Sequence, residues 1–531
     1  MARIHRSPYP PVDIPDVSVS DYVLAGADAR GGHPALIDGA TGEEIGFSDL
    51  ADRVRFLAAA LVTSGIGRGD VVALVTHNQP RYAVAFHAVL ATGATVTPIN
   101  PLCTAEEIAR QLAASGAVLA FAAAAVADTV RTAAARQATA DGARSDVQMD
   151  VVVLEDAAFD ELVANGERAL TSGARLPRVG SDGVALLPYS SGTGGTPKGV
   201  MLTHRNLVAT LAQHAPLYRL TSDDVCAAVL PYYHIYGTTM ILNYALRAGA
   251  TQVTLPRFGL SAYLGLVARY RVTRGHFAPP LVLALANAPE VDAYDLSSLR
   301  LAMSGAAPLD VEVAARATAR TGVRIGQGYG MTEASPGLTF VADEEVGVLS
   351  SGCVGRLVPN TEARLVDPAT GEDCDAEDCD AEGELWARGP QVMAGYLGNP
   401  AATAETLVED GWLRTGDILR VDSDGVWWVV DRLKELIKYK GHQVAPAELE
   451  ALLLTHPDVR DAAVIGVPHS EGGEAPKAFV VGTPGEAELL SWVAERVAPY
   501  KRIRAVEFVD AIPKSPAGKI LRRVLRNREG A

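Results

Sequence analysis

The sequence predicts an α/β protein: a large N-terminal domain of layered sheets and helices, followed by a small α+β C-terminal domain. Two observations carry this reading. The chain has 531 residues, and single hydrophobic cores stop growing near ~250–300 residues, so more than one domain is needed. Between residues 48 and 115 helical and extended patterns alternate, the rhythm of a parallel sheet with helices on its faces.

The elements follow in order. "SDLADRVRFLAAALVTSG" has apolar residues at helical spacing and ends on Gly65. "GDVVALVTHN" reads as a short buried strand. "TAEEIARQLAASG" opens with Thr104 and Glu107 in capping-box spacing and ends on Gly116. "AVLAFA" and "DVVVLED" read as strands, and residues 128–150 as surface helix and loop. "GVALLPYS" reads as a strand and "THRNLVATLAQHAPLY" as a helix, with a glycine-rich loop between them. "ATQVTLP", "RGHFAPP" and "LRLAMSGAAPL" are strand-like pieces. From Gly352 onward strands are shorter, as in "GELWARGP" and "GVWWVVDRLKELIKYKG". A helix at "APAELEALLLTHP" and a strand at "DAAVIGVP" belong to the C-terminal α+β part.

Composition excludes several classes. Hydrophobic residues make up 48% and charged residues 21%, a globular balance rather than a disordered one. A net charge of −16 without a sustained basic run argues against nucleic acid and anionic membrane as partners. The apolar run Ala117–Ala127 is too short to span a bilayer, which takes roughly 20 residues. The N-terminus has prolines where a signal peptide needs an apolar core, so a cytoplasmic location is expected. Five scattered cysteines imply no disulfide framework. Cys374 and Cys379 fall in the tandem "DCDAEDCDAE", which reads as a solvated acidic loop rather than a metal site.

The stretch "YSSGTGGTPKGV", Tyr189–Val200, crowds four glycines, five hydroxyl side chains and a lysine into twelve positions. Glycines let backbone N–H groups approach an anion, and a lysine adds full charge. The stretch fits neither common phosphate template. Lys198 lies between Pro197 and Gly199, not in Gly-Lys-Ser/Thr, and Pro197 blocks the dinucleotide pattern. A phosphate cradle and a flexible surface loop both remain open on these residues alone.

Five further segments follow in order: "PYYHIYG" (231–237), "GYGMTEASPG" (328–337), "TGD" (415–417), "DRLKELIKYKGHQVAPAELE" (431–450) and "PKSPAGKILRR" (513–523). With the loop they resemble the adenylate-forming superfamily of acyl-CoA synthetases, luciferases and peptide-synthetase adenylation domains, and most of all 4-coumarate–CoA ligases and their bacterial relatives. The resemblance spans about residues 20–525. It implies two half-reactions: a carboxylate attacks the α-phosphate of ATP to give acyl-AMP and pyrophosphate, and a thiol, usually that of CoA, displaces AMP.

Site residues are carried over from the resemblance position by position. Ser190, Ser191, Gly192, Thr193, Gly194, Gly195, Thr196 and Lys198 would wrap the β- and γ-phosphates. Thr332 would bond the α-phosphate and Glu333 would hold Mg²⁺. Gly305, Ala306, Ala307 and Tyr329, with Gly328 and Gly330, would form the adenine slot. Asp417 would accept from the ribose hydroxyls, with Arg432 reaching the same sugar. Lys519 would stabilise charge between the carboxylate and the α-phosphate. His234, Ile235, Tyr236, Met240, Ala306, Gly328, Gly330, Pro336 and Gly337 would line the acyl pocket. There the glycines and Ala306 would leave room for a flat ring, and Tyr236 would offer a hydroxyl. His234 is expected to act as a gate and carboxylate neighbour rather than a general base.

The family rotates its small domain between half-reactions, which implies residues 1–430 for the N-terminal domain, a hinge at 431–434 and 435–531 for the C-terminal lid. Asp431 and Lys434 match the hinge, with Lys434 as pivot. Rotation would withdraw Lys519 and bring in Lys438, Lys440 and Gly441 on the CoA side and Gln443 toward the adenylate. Four positions depart from the relatives' usual pattern. Gly194 replaces a threonine, removing one phosphate donor; His442 replaces an aromatic residue; Met240 replaces a small polar residue of the plant enzymes, while Gly337 replaces their valine.

The expected substrate is an aryl or arylacrylic acid, coumarate or a ring-substituted cinnamate first, with benzoate or a medium-chain fatty acid as alternatives. The expected cofactors are ATP, Mg²⁺ and CoA. An acyl-AMP ligase that loads a carrier-protein thiol in trans is the second reading. The chain ends soon after "GKILRR", which disfavours a built-in carrier domain. A catalytically dead nucleotide sensor is the third, and the presence of Lys519, Glu333 and Lys198 speaks against it.

Overall fold

A computed structural model describes residues 4–140, 149–190, 197–368, 370–374, 382–432, 435, 437–439, 442–469, 473–497, 499–514 and 520–529. Its strands form four sheets. The first contains the parallel strands Val71–Val75, Thr95–Ile99, Ala117–Ala122, Asp150–Val153 and Val184–Leu186. Helices Phe47–Thr63, Pro80–Ala91 and Ala105–Ser115 alternate with these strands, as the sequence rhythm predicts. The capping box at Thr104 closes as read: its hydroxyl accepts from the Glu107 amide, and the Glu107 carboxylate accepts from the Thr104 amide. Gly116 takes the left-handed conformation that ends this helix, at φ 66°.

The same sheet then changes hand. Strand β1 (Tyr189–Ser190) pairs antiparallel with β2 (Lys198–Thr203), Lys198 opposite Ser190. Helix α1 (His204–His214) starts only after β2, capped by Thr203, whose hydroxyl accepts from the Asn206 amide. This corrects the sequence expectation of a loop running from a strand straight into a helix. A strand of six residues intervenes, because "KGVMLT" pairs on both sides, with Val184–Leu186 and with Gly395–Tyr396.

The second sheet has parallel neighbours at its centre. Its order runs through Val225–Ala228, β3 (Arg274–Phe277), β4 (Leu301–Ser304) and β5 (Arg324–Gly330). An antiparallel β6 (Gly337–Phe340) joins the last of these. The third sheet is antiparallel and holds Glu362–Val366, Glu382–Arg388, β7 (Trp412–Val421) and β8 (Trp427–Arg432). One buried cluster joins residues of all three sheets, among them Leu74, Leu202, Leu338 and Leu385.

The fourth sheet lies beyond Arg432 and includes Ile437–Tyr439, His442–Val444, Val459–His469 and Gly473–Gly482. Helices Pro446–Leu454 and Glu486–Ala494 accompany it, and its apolar residues cluster among themselves. Arg522 bridges both oxygens of buried Glu450 at 2.7 and 2.8 Å, tying the last helix to this unit. Among the described residues no helix is long and apolar enough to cross a membrane.

Candidate active site

The site grows from the carboxyl ends of β4 and β5. The two strands run parallel, with Ser304 opposite Gln327, and Gly305 and Gly328 come immediately past that last pair. Ligands of open parallel sheets bind at such ends. Beyond it β5 leaves β4 and pairs with β6, so the strand edge opens where Gly305–Ala307 departs. Ala306 sits at φ 71°, a left-handed backbone that costs a non-glycine residue free energy.

Tyr329 lies in this open part of β5, and its hydroxyl donates to Asp417 Oδ2 at 2.7 Å. Asp417 is buried on β7, where "TGD" is strand rather than turn. Thr415 fixes it by accepting from its amide, while the Thr415 hydroxyl donates to Leu385 O at 2.7 Å. Arg432 is the register partner of Asp417 on β8. The adenine-side and ribose-side residues expected together are thus brought together.

Glu333 follows β5 by one short turn and is 6% exposed. Its Oε1 accepts from the Ser190 hydroxyl at 3.1 Å and from the Tyr396 hydroxyl at 2.9 Å. Lys198 lies over the Tyr396 ring, its Nζ 4.7 Å from the centroid. The two ends of the glycine-rich segment therefore converge on one carboxylate and one aromatic ring. Residues 191–196, with Ser191, Gly192, Thr193, Gly194, Gly195 and Thr196, lie outside the described residues. Burial and the neighbouring Glu333 charge push the Tyr396 hydroxyl well above its ordinary pKa, so it remains a donor.

Tyr396 is a residue the sequence reading missed. Its stretch, "GYLGNP", reads as turn chemistry ahead of a helix, and Asn399 does cap the helix Pro400–Thr406. Thr403 of that helix accepts from the Tyr396 amide at 2.9 Å, which orients the ring. Nothing in local composition signals that a tyrosine there reaches Glu333.

At the acyl-pocket positions, the Tyr236 hydroxyl donates to Met303 O at 2.9 Å, which leaves its lone pairs as acceptors. At Gly305 on the adenine side and at the acyl-side glycines, the direction a Cβ would take is occupied. An added Cβ would stand 3.1 Å from the Tyr236 ring at Gly305, 3.2 Å from Phe340 at Gly328, 1.9 Å from Pro336 O at Gly330 and 2.4 Å from the His214 ring at Gly337. These glycines seat neighbouring backbone and rings at close range. Ile235 and Met240 are buried, and Met240 belongs to the π-helix Gly237–Asn243. Single π-helical turns recur at functional sites. His234 Nδ1 accepts from the Tyr236 amide at 3.3 Å; an amide can only donate, so in the neutral ring the proton resides on Nε2.

In the C-terminal unit Lys438 is the register partner of Gln443 on adjoining antiparallel strands. Only the backbone of Asp431, Arg432, Lys438, His442 and Gln443 is described. Lys434, Lys440, Gly441 and Lys519 lie outside the described residues, as does Cys379. Cys374 Sγ is 3.4 Å from Glu382 O. No group of three or more metal-ligating side chains occurs among the described residues.

Comparison with known proteins supplies the family. The model described as "AMP-binding enzyme" matches residues 25–397, and "AMP-binding enzyme C-terminal domain" matches 448–519. The 4-coumarate–CoA ligase 1 of Petroselinum crispum is 43% identical over 99% of this chain and 96% of its own. The anthranilate CoA ligase AuaEII in complex with anthranoyl-AMP superposes with a TM-score of 0.86 at 27% identity, covering 97% of each chain. ATP-bound MatB from Rhodopseudomonas palustris gives 0.83 at 28%, over 96% of this chain and 99% of that one. Matched by both family models, and over 99% of its length 43% identical to the Petroselinum crispum relative, this chain belongs to the AMP-binding enzyme family.

Proposed function

We propose that the protein is an acid–thiol ligase that activates an aryl or arylacrylic carboxylic acid, coumarate or a ring-substituted cinnamate first, with ATP and passes the acyl group to CoA. The observations that carry the reading are the pairing of Tyr329 with Asp417, the Ser190 and Tyr396 hydroxyls on Glu333, and Lys198 over the Tyr396 ring. The relative named as a 4-coumarate–CoA ligase and the neighbour with a bound aryl adenylate support the substrate class.

In the first half-reaction a carboxylate oxygen bonds to the α-phosphorus and the bond to pyrophosphate breaks. Lys198 and the hydroxyls of residues 190–196 hold the β- and γ-phosphates, Thr332 and Lys519 the α-phosphate, Asp417 and Arg432 the ribose. Catalysis here is positioning and charge neutralisation. His234, with Nε2 carrying the proton, donates to the substrate carboxylate rather than drawing a proton from the thiol. In the second half-reaction the CoA sulfur bonds to the acyl carbon and the acyl–phosphate bond breaks, the thiol proton passing to the departing AMP phosphate or to water, with Lys438, Lys440, Gly441 and Gln443 turned toward the site. Residues 431–434 serve as hinge between the domains 1–430 and 435–531, with Asp431 at its start and Lys434 as pivot.

Glu333 suits Mg²⁺: a buried hard carboxylate beside the phosphate hairpin, joined by phosphate oxygens and water, is this cation's ordinary setting. When bound, the ion neutralises phosphate charge. No part of this chemistry needs a membrane, and a cytoplasmic location fits it.

The test is carboxylate-dependent ATP–pyrophosphate exchange over a panel of aryl acids, then product analysis with CoA and with a holo-carrier protein. Exchange followed by an aryl-CoA product is expected. A thioester formed only on the carrier would establish the acyl-AMP ligase reading. Exchange with benzoate or medium-chain acids alone would overturn the arylacrylate assignment, and no exchange with any acid would support a nucleotide sensor.

A further inference from the structure

We propose that His214 reads a ring hydroxyl of the acyl group, its Nε2 accepting the hydrogen bond; the inference rests on the aryl-acid reading above. His214 is the last residue of α1 and is 1% exposed. Its ring fills the place a side chain would take at Gly337, with Cε1 and Nε2 at 2.4 and 2.5 Å from the Cβ position. The absent side chain at residue 337 thus serves to seat an imidazole edge beside an acyl-pocket position.

The polarity of that edge is fixed. His214 Nδ1 lies 2.7 Å from Thr210 O. A carbonyl only accepts, so Nδ1 carries the proton and Nε2 presents a lone pair. Burial lowers the imidazole pKa to about 4, which keeps the ring neutral at physiological pH. The bond from Nδ1 is the ring's one hydrogen bond among the described residues. The Tyr236 hydroxyl, the other polar group expected to read the ring, gives its proton to Met303 O, and Met240 is apolar.

A second, independent observation points to a polar ligand in the same region. His276 on β3 is 1% exposed, and neither ring nitrogen has a hydrogen-bond partner. Such a group is costly unless a hydroxyl or water completes it. Edge-to-face contacts link it to Tyr236 on one side, with centroids 6.1 Å apart, and to Tyr218 on the other, at 5.5 Å. Tyr218 contacts Phe340, and Phe340 contacts His214 with centroids 5.1 Å apart. One arc of rings therefore runs from Tyr236 to His214 with an unsatisfied imidazole within it.

The experiment compares kcat/KM for a para-hydroxylated arylacrylic acid with that for its unsubstituted counterpart, in the full chain. His214→Leu, which removes the acceptor, is expected to lower the ratio about tenfold, the size of one net hydrogen bond. His214→Gln, whose amide oxygen accepts, is expected to hold the ratio within about threefold of wild type. An unmoved ratio in the leucine variant, or an equal fall in both, overturns the proposal. If neither variant folds, Gly337→Ala takes their place: its Cβ displaces the imidazole, and a lowered ratio is expected where an unmoved one overturns. Failure of the wild type to adenylate any aryl acid would instead overturn the functional reading beneath.

Discussion

The hydroxyl of Tyr329, on β5 of the parallel sheet, donates to the Asp417 carboxylate, on β7 of the antiparallel sheet, at 2.7 Å. One hydrogen bond thus links two sheets at the place where the nucleotide sugar and base are proposed to lie. Hydrogen bonds to charged groups contribute about 1.5–3 kcal/mol, so this contact weighs on both stability and nucleotide binding. In Tyr329→Phe we expect a lowered Tm and a raised KM for ATP, with activity retained. Asp417→Asn should raise KM further. A double-mutant cycle should show coupling of at least about 0.5 kcal/mol, the lower end for contacting residues; strict additivity would separate the two residues' roles.

Glu333 receives two hydroxyl donors on one oxygen, from Ser190 and Tyr396. Glu333→Gln keeps the shape and removes the charge, and kcat for pyrophosphate exchange should fall about 10²–10³-fold, as for loss of one charge-stabilising group. Tyr396→Phe should shift the Mg²⁺ concentration for half-maximal exchange, with a smaller loss of kcat. A Mg²⁺ titration of both variants checks this. An unchanged half-point in both would remove Glu333 from the metal site.

Four buried histidines couple stability to acid. Burial lowers the pKa of His87 and His276 to about 3, and of His204 and His214 to about 4. The unfolded chain binds these protons below about pH 6.5 while the folded chain does not. Their contribution is therefore present above pH 6.5 and is lost as pH falls toward 4. The slope is about 1.4 kcal/mol per pH unit for each histidine in that window. Denaturant unfolding between pH 7 and 5 should show stability falling with pH, and His276→Phe should flatten the curve by about one proton's worth.

The glycine-rich segment carries Gly194 where the family resemblance implies a threonine. Gly194→Thr restores a phosphate donor and removes backbone freedom. The expected outcome is a lower KM for ATP at similar kcat, measured by pyrophosphate exchange. An equal or higher KM would mean that the missing hydroxyl has no bearing on nucleotide binding.

Much of this was legible before any coordinates. The capping box at Thr104, the βαβα rhythm and the late motifs are local signals, and local chemistry enforces them. The resemblance places Tyr329 and Asp417 on one nucleotide, but their direct hydrogen bond is not in it, because two residues 88 positions apart leave no trace in spacing. What stayed hidden arises from tertiary packing. β2 is a strand because two neighbours claim its backbone, not because "KGVMLT" announces one. Tyr396 and His214 reach the site through contacts with Glu333 and Gly337 that no periodicity encodes. Which atoms stand in the Cβ direction of Gly328, Gly330 and Gly337 is likewise a matter of packing that no local pattern encodes.

The antiparallel pairing of Ser190 with Lys198 has a consequence for how such enzymes diversify. Both anchors are held by a ladder continuous with the first sheet, and the seven residues between them, 191–197, do not have to position either one. Their composition can therefore vary while the lysine and the serine stay in place. A change in their number is another matter, since it would alter how the two strands join. The phosphate grip behaves as an exchangeable cassette of fixed length, open to tuning for nucleotide affinity without disturbing the acyl side.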